Sequence, residues 1–255
     1  MKIAVLIKQI PLNAQAVFNE DNSINRAASV KGMNPSDKCA LLHAAALSGE
    51  GKEIIALSMG PSSAEDTLRE AVALGATEGI LLQDAAFAGS DTLATGRILA
   101  AAVKALGADL VLCGRRTVDG ETGQVGPQLA VRLGVPCVAN VTKLRVKDGA
   151  LEAERLTADG RETVRTALPA VVTVTENLDV TALPSLAGLR AAARTQIRCW
   201  DRRALGLDLK DCGMSGSATR VIRSYVVQGG LRSPKRIFSP EEGSRAILAG
   251  LERTK

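Results

Sequence analysis
The sequence predicts an α/β fold: a mostly parallel, doubly wound sheet with an antiparallel extension and a C-terminal arm. Three observations carry this reading. Residues 1–135 alternate short apolar runs with helical patterns, as a series of βαβ units does. From Pro136 the pattern turns to alternating strands broken by the turn signals Asp148-Gly149 and Asp159-Gly160. Aromatic residues make up only 2% of the 255, so the core must be built from Ala, Val, Leu and Gly, which suits helices packed closely on a parallel sheet.

The strands of the parallel part are expected at Ile3–Gln9, Glu53–Met59, Gly79–Leu82 and Leu110–Gly114, and the helices near Ser36–Leu47, Ser62–Leu74, Asp91–Leu106 and Gly126–Leu133. Asn34-Pro35 opens the first helix, where proline suits an early position, and Gly60-Pro61-Ser62-Ser63 opens the second with residues able to cap. The β-rich part reads as Cys137–Val146, Leu151–Leu156, Thr163–Ala167 and Ala170–Val174, an antiparallel extension of the same sheet. After Glu176 the chain turns irregular and basic through Leu183–Arg194, Arg198–Arg203 and Arg220–Arg236, and ends in an amphipathic helix, Pro240–Arg253. Such a tail buries little by itself and is expected to lie on a partner.

Composition excludes several function classes. Lys and Arg total 32 against 27 Asp and Glu, a net charge of +5, and 46% of residues are apolar, so a packed core is expected and a nucleic-acid binder is not. Two rings in a hundred residues are also too few for base-stacking platforms. No apolar run approaches the roughly 18 residues of a membrane span, and the opening run Met1–Lys8 is too short for a signal segment. Five cysteines at wide spacing, with His43 the only histidine, make a zinc or iron–sulfur site improbable. A cytoplasmic protein with reduced thiols is expected.

The stretch Cys113-Gly114-Arg115-Arg116-Thr117-Val118-Asp119-Gly120-Glu121-Thr122-Gly123-Gln124-Val125-Gly126-Pro127 carries the chemistry. It follows a buried strand and opens a helix, and free N–H groups at a helix start hold an anion. It is neither a GxGxxG fingerprint nor a Walker loop. On glycine content alone it is equally an ordinary tight connection.

These residues resemble the nucleotide-binding segment of the β subunit of electron-transfer flavoproteins, Gly-[Lys/Arg]-Gln-Ala-Ile-Asp-x-Asp-x-x-Gln-x-Gly. The resemblance covers nearly the whole chain. Ile3–Ile10 is similar to the family's first strand, Met33-Asn34-Pro35-Ser36-Asp37 to its Met-Asn-Pro-aromatic-Asp element, and Leu57-Ser58-Met59-Gly60-Pro61 to its second strand end. Leu156–Thr163 and Leu168-Pro169-Ala170-Val171-Val172-Thr173 resemble its hairpin and following strand. The resemblance implies an adenine-nucleotide α-hydrolase-like fold, with FAD, or alternatively AMP, held by Leu6, Asn34, Asp37, Met59, Asp91, Thr92, Thr95 and the stretch Cys113, Gly114 and Asp119 to Pro127. Within the last, Gly120, Glu121, Thr122, Gly123, Gln124, Val125 and Gly126 form the loop and helix entrance.

Asp119-Gly120-Glu121-Thr122-Gly123-Gln124-Val125-Gly126-Pro127 and Asp84–Thr95 come nearest the family branch that binds a second FAD and oxidises NADH. Read without the resemblance, Ser90-Asp91-Thr92 is a plain N-cap. The chain departs from the family at Ser36 (usually aromatic), Arg116-Thr117 (Gln-Ala) and Gly123 (Ala), changes that bear on flavin chemistry more than on adenine binding. No catalytic acid, base or nucleophile and no metal is expected, as in a carrier whose cofactor does the chemistry.

Residues 1–182 are expected to form the nucleotide-binding domain and 183–255 a recognition loop and an arm that packs on the α subunit. Leu183, Pro184, Leu186, Leu189, Arg190 and Arg194 resemble the family's docking loop for an acyl-CoA dehydrogenase or related flavoenzyme; an amphipathic helix packed on its own sheet is the other reading. Competing functions are a sensor module resembling universal stress proteins, which leaves residues 136–255 unexplained, and an ATP-pyrophosphatase-type enzyme, whose Ser-Gly-Gly-x-Asp-Ser loop is replaced here by Gln9-Ile10-Pro11-Leu12-Asn13. On this reading Gly126→Val expels the nucleotide without unfolding the sheet, and Cys113→Ala changes little.

Overall fold
The computed structural model describes residues 1–12, 30–47, 51–176, 182–222 and 239–252. The chain divides into two units, Met1–Ile222 and Arg223–Lys255. In the second, the described part is a helix, Pro240–Glu252, with Ile247, Leu248 and Leu251 exposed. Most of the basic stretch Arg220–Arg236, from residue 223 on, and Arg253 lie outside the described residues.

The first unit is a mixed α/β layer structure around one large sheet. In chain order its elements are β1 (Lys2–Leu6), β2 (Gln9–Pro11), β3 (Lys31–Met33), α1 (Pro35–Ala46), β4 (Glu53–Met59), α2 (Ala64–Ala73) and β5 (Glu78–Leu82). There follow α3 (Thr92–Leu106), β6 (Leu110–Gly114), α4 (Val125–Leu133), β7 (Cys137–Lys147), β8 (Ala150–Thr157), β9 (Gly160–Ala167) and β10 (Ala170–Val174). Then come α5 (Leu186–Arg194), β11 (Arg198–Trp200) and α6 (Gly213–Gly216). The sheet has nine strands in the order β11-β5-β4-β1-β6-β10-β7-β8-β9, and β2 and β3 form a separate antiparallel pair. β1 pairs in parallel with both β4 and β6, so the central strands are buried on both faces and read as unbroken apolar runs.

Each face has its own core. On one side Ile3, Val5, Leu112 and Val172 meet Leu41 of α1 and Leu68 of α2. On the other Ala4, Leu57, Ile80 and Val171 meet Ile98 of α3 and Leu129 of α4. Helix stops follow the expected chemistry: Gly107 and Gly134 end α3 and α4 in left-handed conformation.

Three details differ from the sequence expectation. The first strand stops at Leu6, and Gln9–Pro11 turns away to pair with Lys31–Met33, because Lys8 is held by Asp37 and Asn34 rather than by a neighbouring strand. Ala170–Val174 is no part of the antiparallel extension. It lies between β6 and β7, parallel to both, and is buried along its whole length. Arg198–Trp200, expected as irregular tail, adds a parallel edge strand to β5, with Gln83 N donating to Trp200 O at 2.9 Å. Three residues give too short a pattern to be legible as a strand.

Residues 182–222 pack within the first unit. Helix α5 lies on α2 through its small residues: Ala192 is buried, and Gly188 stands so close to Ala73 O that a Cβ would overlap it. Arg69 of α2 donates to the last carbonyls of α5, Ala192 O at 3.3 Å and Thr195 O at 2.9 Å. Among the described residues no helix is long and apolar enough to cross a membrane.

Candidate functional site
From β1 the chain proceeds to β4 and β5 on one side, and β6 and β10 lie on the other. The crevice at the C-terminal ends of β1 and β6 is therefore the topological switch point, where open α/β sheets take ligands. Asp37, in the first turn of α1, bridges that crevice. Its Oδ2 accepts from Lys8 N at 2.8 Å and its Oδ1 from Gly114 N at 2.9 Å, which fastens the two strand ends together. Asn34, fully buried, organises the loop above: its Nδ2 donates to Arg116 O at 2.9 Å and its Oδ1 accepts from Val118 N at 3.2 Å.

Burial pushes the Asp37 carboxyl up to about 7, against the N–H bonds from Lys8 and Gly114 that lower it. A carboxyl that holds its proton more tightly folded than unfolded contributes stability that is complete below its unfolded pKa, about 4, and is lost as pH rises through the folded value. Unfolding free energy is therefore expected to fall as pH rises from about 4 to about 7, and Asp37→Asn to flatten that slope. Denaturant midpoints measured across this range check it; a slope unchanged in the variant would refute the assignment.

The loop from Arg115 to Gln124 is exposed and braced. Lys8 Nζ donates to both oxygens of Asp119, at 2.7 and 2.8 Å, and Arg116 pairs with Glu121 at 3.1 Å. Burial works to raise the Asp119 carboxyl, but the Lys8 ammonium outweighs it and holds the group below the usual carboxylate range. Glu121 and Gly123 both take positive φ, 50° and 63°, and turn the chain into α4. The N-cap residue of α4, Gln124, makes no capping bond with its side chain; its Oε1 instead accepts from Thr92 Oγ1 at 2.9 Å. The first turn of α4 thus presents backbone N–H groups without a side-chain cap, on the edge where the sheet opens.

The sheet edge gathers most of the expected site residues, in different roles. Thr122, Gly123, Gln124 and Pro127 are exposed around the helix entrance, with Asp119, Gly120 and Glu121 in the loop before it and Val125 half-buried. Met59, at the end of β4, is half-buried, and Asp91, Thr92 and Thr95 lie at the start of α3. Leu6 and Cys113 are core residues on the α3–α4 face, and burial, with Asp37 nearby, pushes the Cys113 thiol well up. Gly114 and Gly126 are close-packing glycines. A Cβ on Gly114 would overlap Asp37 Oδ1 and stand 2.6 Å from Ser36 Cβ; one on Gly126 would overlap Thr173 Cγ2 and stand 3.1 Å from Cys113 Sγ. This corrects the expectation for Gly126→Val: a side chain there drives α4 off β10, so it disturbs the sheet before it reaches any ligand.

The sequence reading missed three residues at this edge. Lys8 was hidden in what looked like continuous strand. Gln128 donates to Thr92 Oγ1 at 3.3 Å, one turn into α4. Thr175, just past β10, is 7% exposed and its Oγ1 has no hydrogen-bond partner, an orphaned hydroxyl next to the strand that flanks the loop. Only the threonine following a buried strand could have signalled it. The partner-type residues lie elsewhere, on α5 and the turn before it. Leu183, Leu186 and Leu189 are 92%, 65% and 51% exposed, Arg190 and Arg194 are exposed, and Pro184 is half-buried. Among the described residues no group of three or more His, Cys, Asp or Glu could hold a metal ion.

A family model described as electron transfer flavoprotein domain matches residues 22–204. The chain is 38% identical over 225 residues to the electron transfer flavoprotein subunit beta of Thermoanaerobacterium thermosaccharolyticum, covering 87% of this chain and 86% of that one. It is 39% identical over 266 aligned positions to the protein FixA of Azorhizobium caulinodans, covering 100% and 90%. It is 37% identical over 229 residues to the caffeyl-CoA reductase-Etf complex subunit CarD of Acetobacterium woodii, covering 88% and 87%.

Proposed function
We propose, from the premise that this chain belongs to the electron transfer flavoprotein family, on its β-subunit side, that it is one half of a heterodimeric electron carrier. Its loop 115–124 and the start of α4 hold an adenine nucleotide, FAD in the first reading and AMP in the second. The uncapped N-terminus of α4 at the switch point of the sheet is the observation that carries this.

The residues present fit such a group. N–H groups of Val125 and Gly126 precede Pro127, which has none, and with the helix dipole they favour a phosphate. Thr122 and the orphaned Thr175 supply hydroxyls. Asn34 and Asp37 hold the loop in place from beneath it and are internal to the protein. FAD, when bound, would take up and release electrons; the chain's part would be to position it. The acceptor in this reading is a flavoenzyme acting on a CoA thioester, supported by the relative named as part of a caffeyl-CoA reductase-Etf complex. The C-terminal arm packs on the α subunit in this reading through its described helix Pro240–Glu252, where Ile247, Leu248 and Leu251 are exposed, and the heterodimer works in the cytoplasm.

Co-purification of the heterodimer with a count of flavin and AMP per dimer tests the reading. Two flavins, one bleached by NADH, place the protein with the NADH-oxidising branch; one flavin and one AMP make it an ordinary carrier. Heterodimer that carries neither nucleotide at this loop and takes up neither when offered would sink it. Docking is tested separately. The almost fully exposed Leu183 is a ready apolar anchor, and Arg190 and Arg194 are exposed on the helix that follows. Leu183→Ala is expected to weaken the acceptor complex by about 2 kcal/mol, read as slower electron delivery, with nucleotide content and melting temperature unchanged. Unchanged transfer rates would assign the loop to structure alone.

A further inference from the structure
We infer that the stretch Gly213–Thr219 positions the phosphate end of the candidate nucleotide site, acting through Asp91, Thr92 and Gln124; the inference rests on the nucleotide reading of that end.

The carboxylate of Asp91 is divided between two tasks. Its Oδ1 accepts from Leu93 N at 2.9 Å and Ala94 N at 3.0 Å, capping α3. Its Oδ2 accepts from Ala218 N at 2.8 Å, Thr219 N at 2.9 Å and Thr219 Oγ1 at 3.0 Å. An ionised carboxylate offers about four lone-pair directions, so these donors saturate it and leave none for a ligand. Asp91 therefore cannot serve the nucleotide by touching it.

The same turn is clasped from further points. Asp91 N donates to Ser217 Oγ at 2.8 Å, and Gly213 N donates to Ser90 Oγ at 3.1 Å. Gly213 takes φ +54°, and a Cβ there would overlap Ala86 O, so α6 sits against the 84–91 segment as only glycine allows. One residue beyond Asp91, Thr92 Oγ1 donates to Gln124 Oε1 at 2.9 Å and accepts from Gln128 Nε2 at 3.3 Å. That bond turns the Gln124 side chain away from capping α4 and leaves the helix entrance open. Hydrogen bonds to Asp91, the peptide link from Asp91 to Thr92 and the bond from Thr92 to Gln124 thus join residues 217–219, close to where the first unit ends at Ile222, to the helix start proposed to hold phosphate. Whatever pulls on 217–219 shifts the Asp91 turn, and with it the group that keeps the α4 entrance uncapped. By linkage, nucleotide bound at α4 must tighten the 217–219 contact by the same factor.

The test uses the full-length chain and AMP, the portion shared by both candidate nucleotides. Thr219→Val removes the hydroxyl bond to Asp91 and keeps the backbone bonds. It is expected to weaken AMP binding about fivefold in calorimetric titration, with Thr219→Ser restoring it. Asp91→Asn is the second variant: asparagine still caps α3, but its amide opposes the N–H groups of 218 and 219, so the same loss of affinity is expected. In wild type, AMP should slow amide hydrogen exchange at Ala218 and Thr219. Wild type that binds AMP while both variants bind it equally well, or while exchange at 218 and 219 is unmoved, overturns this inference alone. Wild type that binds no AMP overturns it together with the nucleotide reading.

Discussion
Gly114→Ala is expected to destabilise the first unit by about 3 kcal/mol or more, the largest stability effect of any single methyl group at this edge. The added Cβ would overlap Asp37 Oδ1, come within 2.6 Å of Ser36 Cβ and within 2.9 Å of Asp37 N. Two of those atoms belong to the staple that joins β1 and β6, and one is backbone, so no side-chain rotation relieves the clash. The N-terminus of α1 must retreat, and the Gly114 N–H to Asp37 bond lengthens with it. Breaking a buried bond to an ionisable group adds to the overpacking. Thermal and denaturant unfolding would show it as a midpoint lowered by roughly 10 °C for a unit of this size. Gly120→Ala is the control: its nearest neighbour would be Thr117 Oγ1 at 3.3 Å, the tip of a side chain that can turn, and little change is expected. Wild-type melting of Gly114→Ala would mean that the crevice is looser than the Asp37 bonds imply.

Gly123→Val is expected to lower adenine-nucleotide affinity at least tenfold while the sheet keeps its stability to within about 1 kcal/mol. Here the constraint is the backbone and not space. Gly123 holds φ at +63°, and a Cβ would meet only Arg115 O, at 3.6 Å. A β-branched residue cannot hold that conformation without strain of about 1–3 kcal/mol. The exposed loop relaxes instead and carries the N–H groups at the α4 entrance with it. Gly123→Asn should retain most of the affinity, since asparagine tolerates the left-handed region. Titration with AMP and the flavin content of the purified heterodimer are the measurements. Undiminished binding by Gly123→Val would remove the loop from the site. Gly126→Val, which the sequence suggested for this purpose, tests helix packing instead.

The parallel strands and their helices were legible because burial on both faces writes itself as apolar runs, and helices write themselves as periodic stripes bounded by proline and glycine. Glu53–Met59 and Leu110–Gly114 have the predicted bounds, as does Ala170–Val174. The loop from Asp119 to Pro127 was legible too, by its place between a strand and a helix. Strand order was not. Nothing in the run Ala-Val-Val-Thr-Val says that it inserts between β6 and β7, since a strand buried on both faces has the same composition wherever it sits.

What the sequence by itself determined is the fold class and the family, and it singled out one edge of the sheet as the candidate site, because these depend on local patterns and on ordered motifs along the chain. Which residues line that edge and which build it was decided by tertiary structure alone. Asn34, Asp37, Asp91, Gly114 and Gly126 stand in motifs that resemble binding residues, yet their hydrogen bonds and contacts are spent inside the protein. Lys8, Gln128 and Thr175 carried no such signal and stand at the edge. The reason is physical: a polar side chain or a glycine looks the same in sequence whether its partner is a ligand or a strand 77 residues away, as for Asp37 and Gly114, and only the folded chain shows which donors and which space are already taken.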